Sequence, residues 1–164
     1  LPTMKDKLLA DPYIKSVKLK RRLPGEVVII LQERKEDAAV PYGGKYIIID
    51  NEGMVLRKAD QEPALTLLQG MTIKNMKPGT PLEVEDNTAL TDTLKLLAEV
   101  KKHEVYFKKI DISKVMIKAY IYDQLVCEGT PDDILGNLDS LQELLYDLYT
   151  KGIERGVIKL GSDN

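Results

Sequence analysis

The chain of 164 residues is 43% hydrophobic and 30% charged, with 24 Lys/Arg, 26 Asp/Glu, one His, one Cys and no Trp. A formal net charge of −2 gives no global basic field for nucleic acid; a single Cys excludes an internal disulfide framework, and a single His excludes a two-His metal site. No run reaches the roughly 20 apolar residues of a membrane helix, and the first residues do not read as a signal peptide.

In chain order, Leu1–Ala10 predicts a short helix capped by Thr3, with Met4, Leu8 and Leu9 on one side. Asp11-Pro12 ends it, because the residue before a proline is pushed out of the helical region. Tyr13–Lys20 alternates Val17 and Leu19 with lysines, the pattern of a half-buried strand. Leu23-Pro24-Gly25 is a turn, and the unbroken apolar run from Val27 to Leu31 predicts a strand buried on both faces or placed inside a sheet. The polar, breaker-rich stretch 33–44 places a domain boundary near Val40, giving units 1–40 and 41–164. Lys45–Asp50 and Gly53–Arg57 form a hairpin around an Asp-x-x-Gly turn. Residues 58–86, with their prolines and glycines, read as a loop with short strand fragments.

A helix capped by Asn87 or Thr88 follows, with Leu90, Leu94, Leu97 and Val100 as its stripe. Glu104–Asp111, Val115–Tyr122 and Gln124–Glu128 predict a three-stranded meander whose middle strand presents Val115, Ile117, Ala119 and Ile121 on one face. Thr130-Pro131-Asp132-Asp133 starts a helix running to about Tyr149 along Leu138, Leu141, Leu145 and Leu148. Gly156–Gly161 is a last strand. The fold class is α+β.

Chemistry is sparse along this framework. His103, at a helix exit, has no second ligand at metal spacing and reads as a surface histidine; Cys127, in a strand with no neighbouring base, reads as a packed thiol. The Gly44-Lys45 pair lacks the upstream glycine of a phosphate-binding loop, and no Gly-x-Ser-x-Gly elbow occurs. Asp132, Asp133, Asp86 and Asn87 fit helix capping. The sequence therefore reads as a non-enzyme without a cofactor or metal site. Charge is uneven, with nine Lys/Arg against six Asp/Glu over residues 1–40 and three against nine over 123–164. The cluster Lys15, Lys18, Lys20, Arg21 and Arg22 suits anionic lipid or cell-wall polymer, or is a solvated strand face paired with Glu26, Glu33 and Glu36. A strand at the chain's end offers a free edge for strand addition, or merely closes the sheet.

Pro12–Val17, Lys20-Arg21-Arg22-Leu23-Pro24-Gly25-Glu26-Val27-Val28-Ile29 and Glu33-Arg34-Lys35 together resemble the end of the POTRA domain in the bacterial cell-division family FtsQ/DivIB. The hairpin Tyr46–Leu56, the Leu68/Gly70 landmark with Ile73, the strand end Lys109-Ile110-Asp111-Ile112-Ser113 and the closing Gly156–Leu160 are similar, in order, to that family's second, β domain. The resemblance implies a partial POTRA unit, a helix and a β-hairpin, followed by a mixed or antiparallel sheet domain with helices packed on it. It implies an extracytoplasmic fragment of a single-pass membrane protein at the division septum, whose membrane helix, cytoplasmic tail and first POTRA elements are not in this chain. It further implies a divisome scaffold that binds the coiled-coil proteins FtsL and FtsB (DivIC) by strand addition and links assembly to peptidoglycan synthesis. That contact maps to Val157, Ile158, Lys159, Leu160, Gly161 and Ser162, with Tyr149 on the preceding helix. Proline at Ile158 is expected to remove an edge N–H and abolish the contact while sparing the core.

Overall fold

Thr3 and Asp6 close a capping box at the start of α1 (Met4–Leu9): the Asp6 N–H donates to the Thr3 hydroxyl at 3.1 Å and the Thr3 N–H to the Asp6 carboxylate at 3.2 Å. The structure, a computed structural model, describes residues 3–161. β1 (Ile14–Arg22) and β2 (Glu26–Glu33) follow as an antiparallel hairpin that forms a sheet of its own. Register pairs Val17 with Leu31, Leu19 with Ile29 and Arg21 with Val27. The expected burial of β2 is not what the structure has. Val27, Ile29, Ile30 and Leu31 are 41–56% exposed, and only Val17 of β1 is buried. An apolar run marks an inner strand only where a third strand or a covering layer exists; among the described residues β2 has β1 alone.

Val40, the expected boundary, lies in the middle of β3 (Ala38–Tyr42), which pairs with β4 (Lys45–Ile49). The passage from one sheet to the other occupies residues 34–37 instead. β4 turns through Asp50 and Gly53 into β5 (Val55–Ala59); Asp50 Oδ1 accepts the N–H groups of Glu52 and Met54, and Gly53 has φ +85°. Residues 58–86 are irregular chain with short strands, as their composition implies. β6 (Thr66–Gln69) is a central strand, followed by the small pair β7 (Ile73–Asn75) and β8 (Glu83–Val84). Its four residues were too few for a hydrophobic period to show.

Helix α2 (Asn87–Val100) is capped by Asp86, whose Oδ1 accepts the Ala89 N–H at 3.1 Å; Asn87 instead accepts from Val84. The meander forms as β9 (Lys109–Asp111), β10 (Ile117–Tyr122) and β11 (Gln124–Gly129). Val115 precedes β10 and is 82% exposed, outside the face assigned to it. The long helix expected from Thr130 is two. α3 (Pro131–Leu135) ends at Gly136, and α4 (Leu138–Thr150) restarts after Asn137, whose Nδ2 donates to the Asp133 carbonyl at 2.7 Å. β12 (Arg155–Lys159) closes the fold.

The main sheet runs β12-β11-β10-β9-β6-β3-β4-β5. β3–β6, β6–β9 and β11–β12 are parallel and the other pairs antiparallel, so the sheet is mixed and the class α+β. Leu90, Leu94, Leu97, Ile134 and Leu141 of the helices pack with Ile47, Ile49, Leu68, Ile110 and Cys127 on one face. On the other face lies a smaller cluster of Ala39, Ile48 and Ala59 with Tyr46, Leu65 and Leu67. The hairpin unit meets this body through polar contacts. Arg34 Nη1 donates to Asp50 Oδ2 at 2.6 Å, Lys15 pairs with Glu52, and Glu36 Oε2 accepts from the Tyr13 hydroxyl at 2.5 Å and from Arg57 Nε at 2.6 Å.

Candidate partner-binding edge

The strand placed last in the chain is also last in the sheet. Among the described residues β12 pairs only with β11, matching Val126 with Val157, Cys127 with Ile158 and Glu128 with Lys159. The Leu160 N–H donates to the Glu128 carbonyl at 2.8 Å. In a parallel ladder, backbone groups of alternate residues point to the same side. Gly156, Ile158 and Leu160 therefore aim their N–H and C=O groups at β11, while Arg155, Val157 and Lys159 aim theirs outward. This corrects the substitution expected from sequence: proline at Ile158 breaks the sheet from within, and the edge donors are Val157 and Lys159.

Side chains alternate in the same way. Ile158 and Leu160 pack against the core. Val157, 55% exposed, stands on the opposite face beside Val126, which is in register with Tyr120. Lys109 Nζ lies 4.4 Å from the Tyr120 ring centre. The edge thus combines a row of free backbone groups, one apolar side chain, and the flanking cations Arg155 and Lys159. Gly161 is exposed beyond the strand, and Ser162 lies outside the described residues. Gly129 allows the strand's last turn of contact, since a Cβ there would sit 2.6 Å from the Leu160 carbonyl oxygen.

Tyr149 is 71% exposed on α4 and does not join the strand residues. It lines a groove of about 880 Å³ with Tyr106, Tyr122, Tyr146 and Leu145, edged by Glu143. A second depression shares Tyr122 and reaches Arg155 at the start of β12. Nothing in the sequence marks Tyr106 or Tyr122; Tyr146 carries a signal in its three-residue spacing from Tyr149 on the polar side of a helix.

The basic cluster divides. Lys15 is held by Glu52, whereas Lys18, Lys20, Arg21 and Arg22 take part in no ion pair among the described residues. The expected cross-strand partners do not serve them, and Glu36 is committed to Arg57 and Tyr13. His103 links two helices, its Nδ1 3.0 Å from the Glu99 carbonyl and its Nε2 3.2 Å from Asp139. Cys127 is buried, and that burial pushes its thiol up to about 12, far from a thiolate nucleophile. Among the described residues no group of three His, Cys, Asp or Glu side chains is placed to hold a metal, and no helix is long and apolar enough to cross a membrane.

Comparison with known proteins bears on the same regions. A family model described as the POTRA domain, FtsQ-type, matches residues 2–34. The cell division protein DivIB of Clostridium acetobutylicum is 33% identical over 138 residues, 82% of this chain and 55% of the relative. DivIB of Clostridium botulinum is 27% identical over 153 residues, 90% of this chain and 60% of the relative. The chain thus spans under two thirds of the length of these relatives. A solved structure, the major extracytoplasmic domain of the trans isomer of DivIB from Geobacillus stearothermophilus, is similar with a TM-score of 0.44 and 15% identity, covering 73% of this chain and 97% of that one.

Proposed function

The chain belongs to the FtsQ/DivIB family of bacterial cell-division proteins, and from that premise we propose that it is a non-enzymatic divisome scaffold whose β12 edge receives a strand of the FtsL and FtsB/DivIC ectodomains. The proposed unit division is a partial POTRA unit ending in the hairpin and a β domain that follows it. The proposed setting is the extracytoplasmic side of the cell membrane at the septum, with the anchoring helix outside this chain. Bound there, the module links septum assembly to peptidoglycan synthesis.

One observation supports the reading most: the outward N–H and C=O groups of Val157 and Lys159 on a strand that is, among the described residues, at the edge of its sheet. The contact residues proposed are Val157, Lys159 and Gly161 through the backbone, Ile158 and Leu160 as the core-side anchors of the strand, and Tyr149 on α4. Calorimetric titration with the extracytoplasmic FtsB/DivIC–FtsL pair tests it. Lys159→Pro and Val157→Pro each remove an outward donor and are expected to lower affinity by at least ten-fold with unchanged circular dichroism. Full affinity in both variants rejects strand addition at this edge.

A further inference from the structure

The tip of the β1–β2 hairpin carries charge and apolar surface that the fold itself leaves unused. Lys18, Lys20, Arg21 and Arg22 lie in the last five residues of β1, all exposed and without an ion pair among the described residues. Glu26 is opposite Arg22 in register but forms no ion pair with it. Strand alternation puts Lys18, Lys20 and Arg22 on one face and Arg21 on the other, beside Val27. At the apex Leu23 is 98% exposed and Val27 behind it 56%. A turn normally presents small or polar groups to water; here a whole leucine side chain stands at the apex, and the strand that leads into it carries four exposed cations.

An anionic bilayer surface uses both features together, offering phosphates around an apolar interior. A soluble polyanion engages the cations and ignores Leu23. A single-stranded nucleic acid needs stacking rings, and the tip has none. The acidic end of the chain, with three Lys/Arg against nine Asp/Glu over residues 123–164, lies in the other unit and would be repelled by such a surface. We propose that the hairpin docks tip-first on an anionic lipid bilayer, Leu23 entering the boundary between headgroups and acyl chains while Lys18, Lys20, Arg21 and Arg22 meet lipid phosphates. Lys15, engaged by Glu52, takes no part. This surface is separate from β12.

The chain has no Trp, so Leu23→Trp supplies a single fluorescent reporter. With vesicles of equimolar phosphatidylglycerol and phosphatidylcholine, its emission is expected to shift to the blue and to be quenched by brominated acyl chains. Co-sedimentation of the unmodified chain gives an independent partition coefficient. Each cation changed to Gln is expected to lower it roughly five-fold, Leu23→Ser about ten-fold, and raised salt steeply, whereas Val157→Pro leaves it unchanged. All these sites are exposed, and circular dichroism checks the fold. Equal partition onto pure phosphatidylcholine overturns the proposal. So does a Leu23→Ser chain that partitions like the unmodified one, or a Leu23→Trp emission that never shifts. Binding to soluble polyphosphate as tight as to the anionic vesicles also overturns it, assigning the cations to a polymer.

Discussion

Single residues in this protein mark where one backbone passes close to another. Gly70 has φ +90°, and a Cβ there would meet Asp111 Oδ1 at 2.6 Å and the Ser113 N–H nitrogen at 2.7 Å. The Leu68/Gly70 and Asp111-x-Ser113 landmarks, distant in sequence, are therefore one contact, joined by the parallel pairing of Leu68 with Ile110. Their pattern is structural. Gly129 plays the same part beside β12, where Gly129→Ala must displace the Leu160 carbonyl and the end of β12 with it. A stability loss of about 1–3 kcal/mol is expected in urea denaturation, together with weaker binding at the proposed strand-addition edge; an unchanged midpoint would show that β12 yields without cost. Glu36 sets an acid dependence. The Arg57 guanidinium donating to its carboxylate, and then the Tyr13 hydroxyl, hold it below the ordinary carboxylate value of 4.5. A carboxyl depressed in the folded state contributes stability in full above its unfolded value, and loses it as pH falls through the folded one. Melting temperature is thus expected to fall below about pH 4.5, with a shallower acid limb in Glu36→Gln. An acid limb of identical slope in the two proteins excludes this role for Glu36.

Elements became legible in sequence to the extent that they carry their own period or cap. α1, α2 and α3 announce themselves through Thr3, the Leu90-to-Val100 stripe and Thr130-Pro131, and the β4–β5 hairpin through Asp50 and Gly53. β6 was obscured because a four-residue strand in the middle of a sheet has no alternation to display. β2 differs because its composition is that of an inner strand while, among the described residues, it pairs with β1 alone and stays exposed. β12 was found, but which of its groups face outward was not, since that parity depends on a hydrogen bond from Leu160 to Glu128. The parity separates two substitutions a single residue apart. Ile158→Pro removes a ladder donor and is expected to cost about 1–3 kcal/mol of stability in thermal or urea unfolding. Lys159→Pro removes a donor that faces water and is expected to change stability by under about 1 kcal/mol. Equal destabilisation by both would mean that β12 does not hold its described register.

At the scale of the whole molecule, the hairpin unit is joined to the body by ions more than by apolar surface. Val17 is the only buried hydrophobic residue of the hairpin, so orientation rests on the Arg34–Asp50 pair, on Lys15 with Glu52, and on the Tyr13–Glu36–Arg57 cluster. The Glu33-Arg34-Lys35 signature acquires its physical meaning here. Asp50 is 2% exposed and spends one oxygen on the β4–β5 turn and the other on Arg34, so the same carboxylate shapes a hairpin of the body and fastens the unit before it. Removing one partner of a buried ion pair costs far more than the pair contributes, because the survivor remains charged without compensation. Arg34→Met is accordingly expected to lower stability by about 3 kcal/mol and to widen the distribution of distances between spin labels placed on the hairpin turn and on α4. Arg34→Met with Asp50→Asn removes both charges and is expected to recover much of the stability but not the narrow distance distribution, because a neutral amide at position 50 no longer grips the linker. A single narrow distance in both variants would move the fastening to Tyr13, Glu36 and Arg57. Rigidity and stability are therefore separable at this junction, and the distance measurement tells which of the two Arg34 supplies.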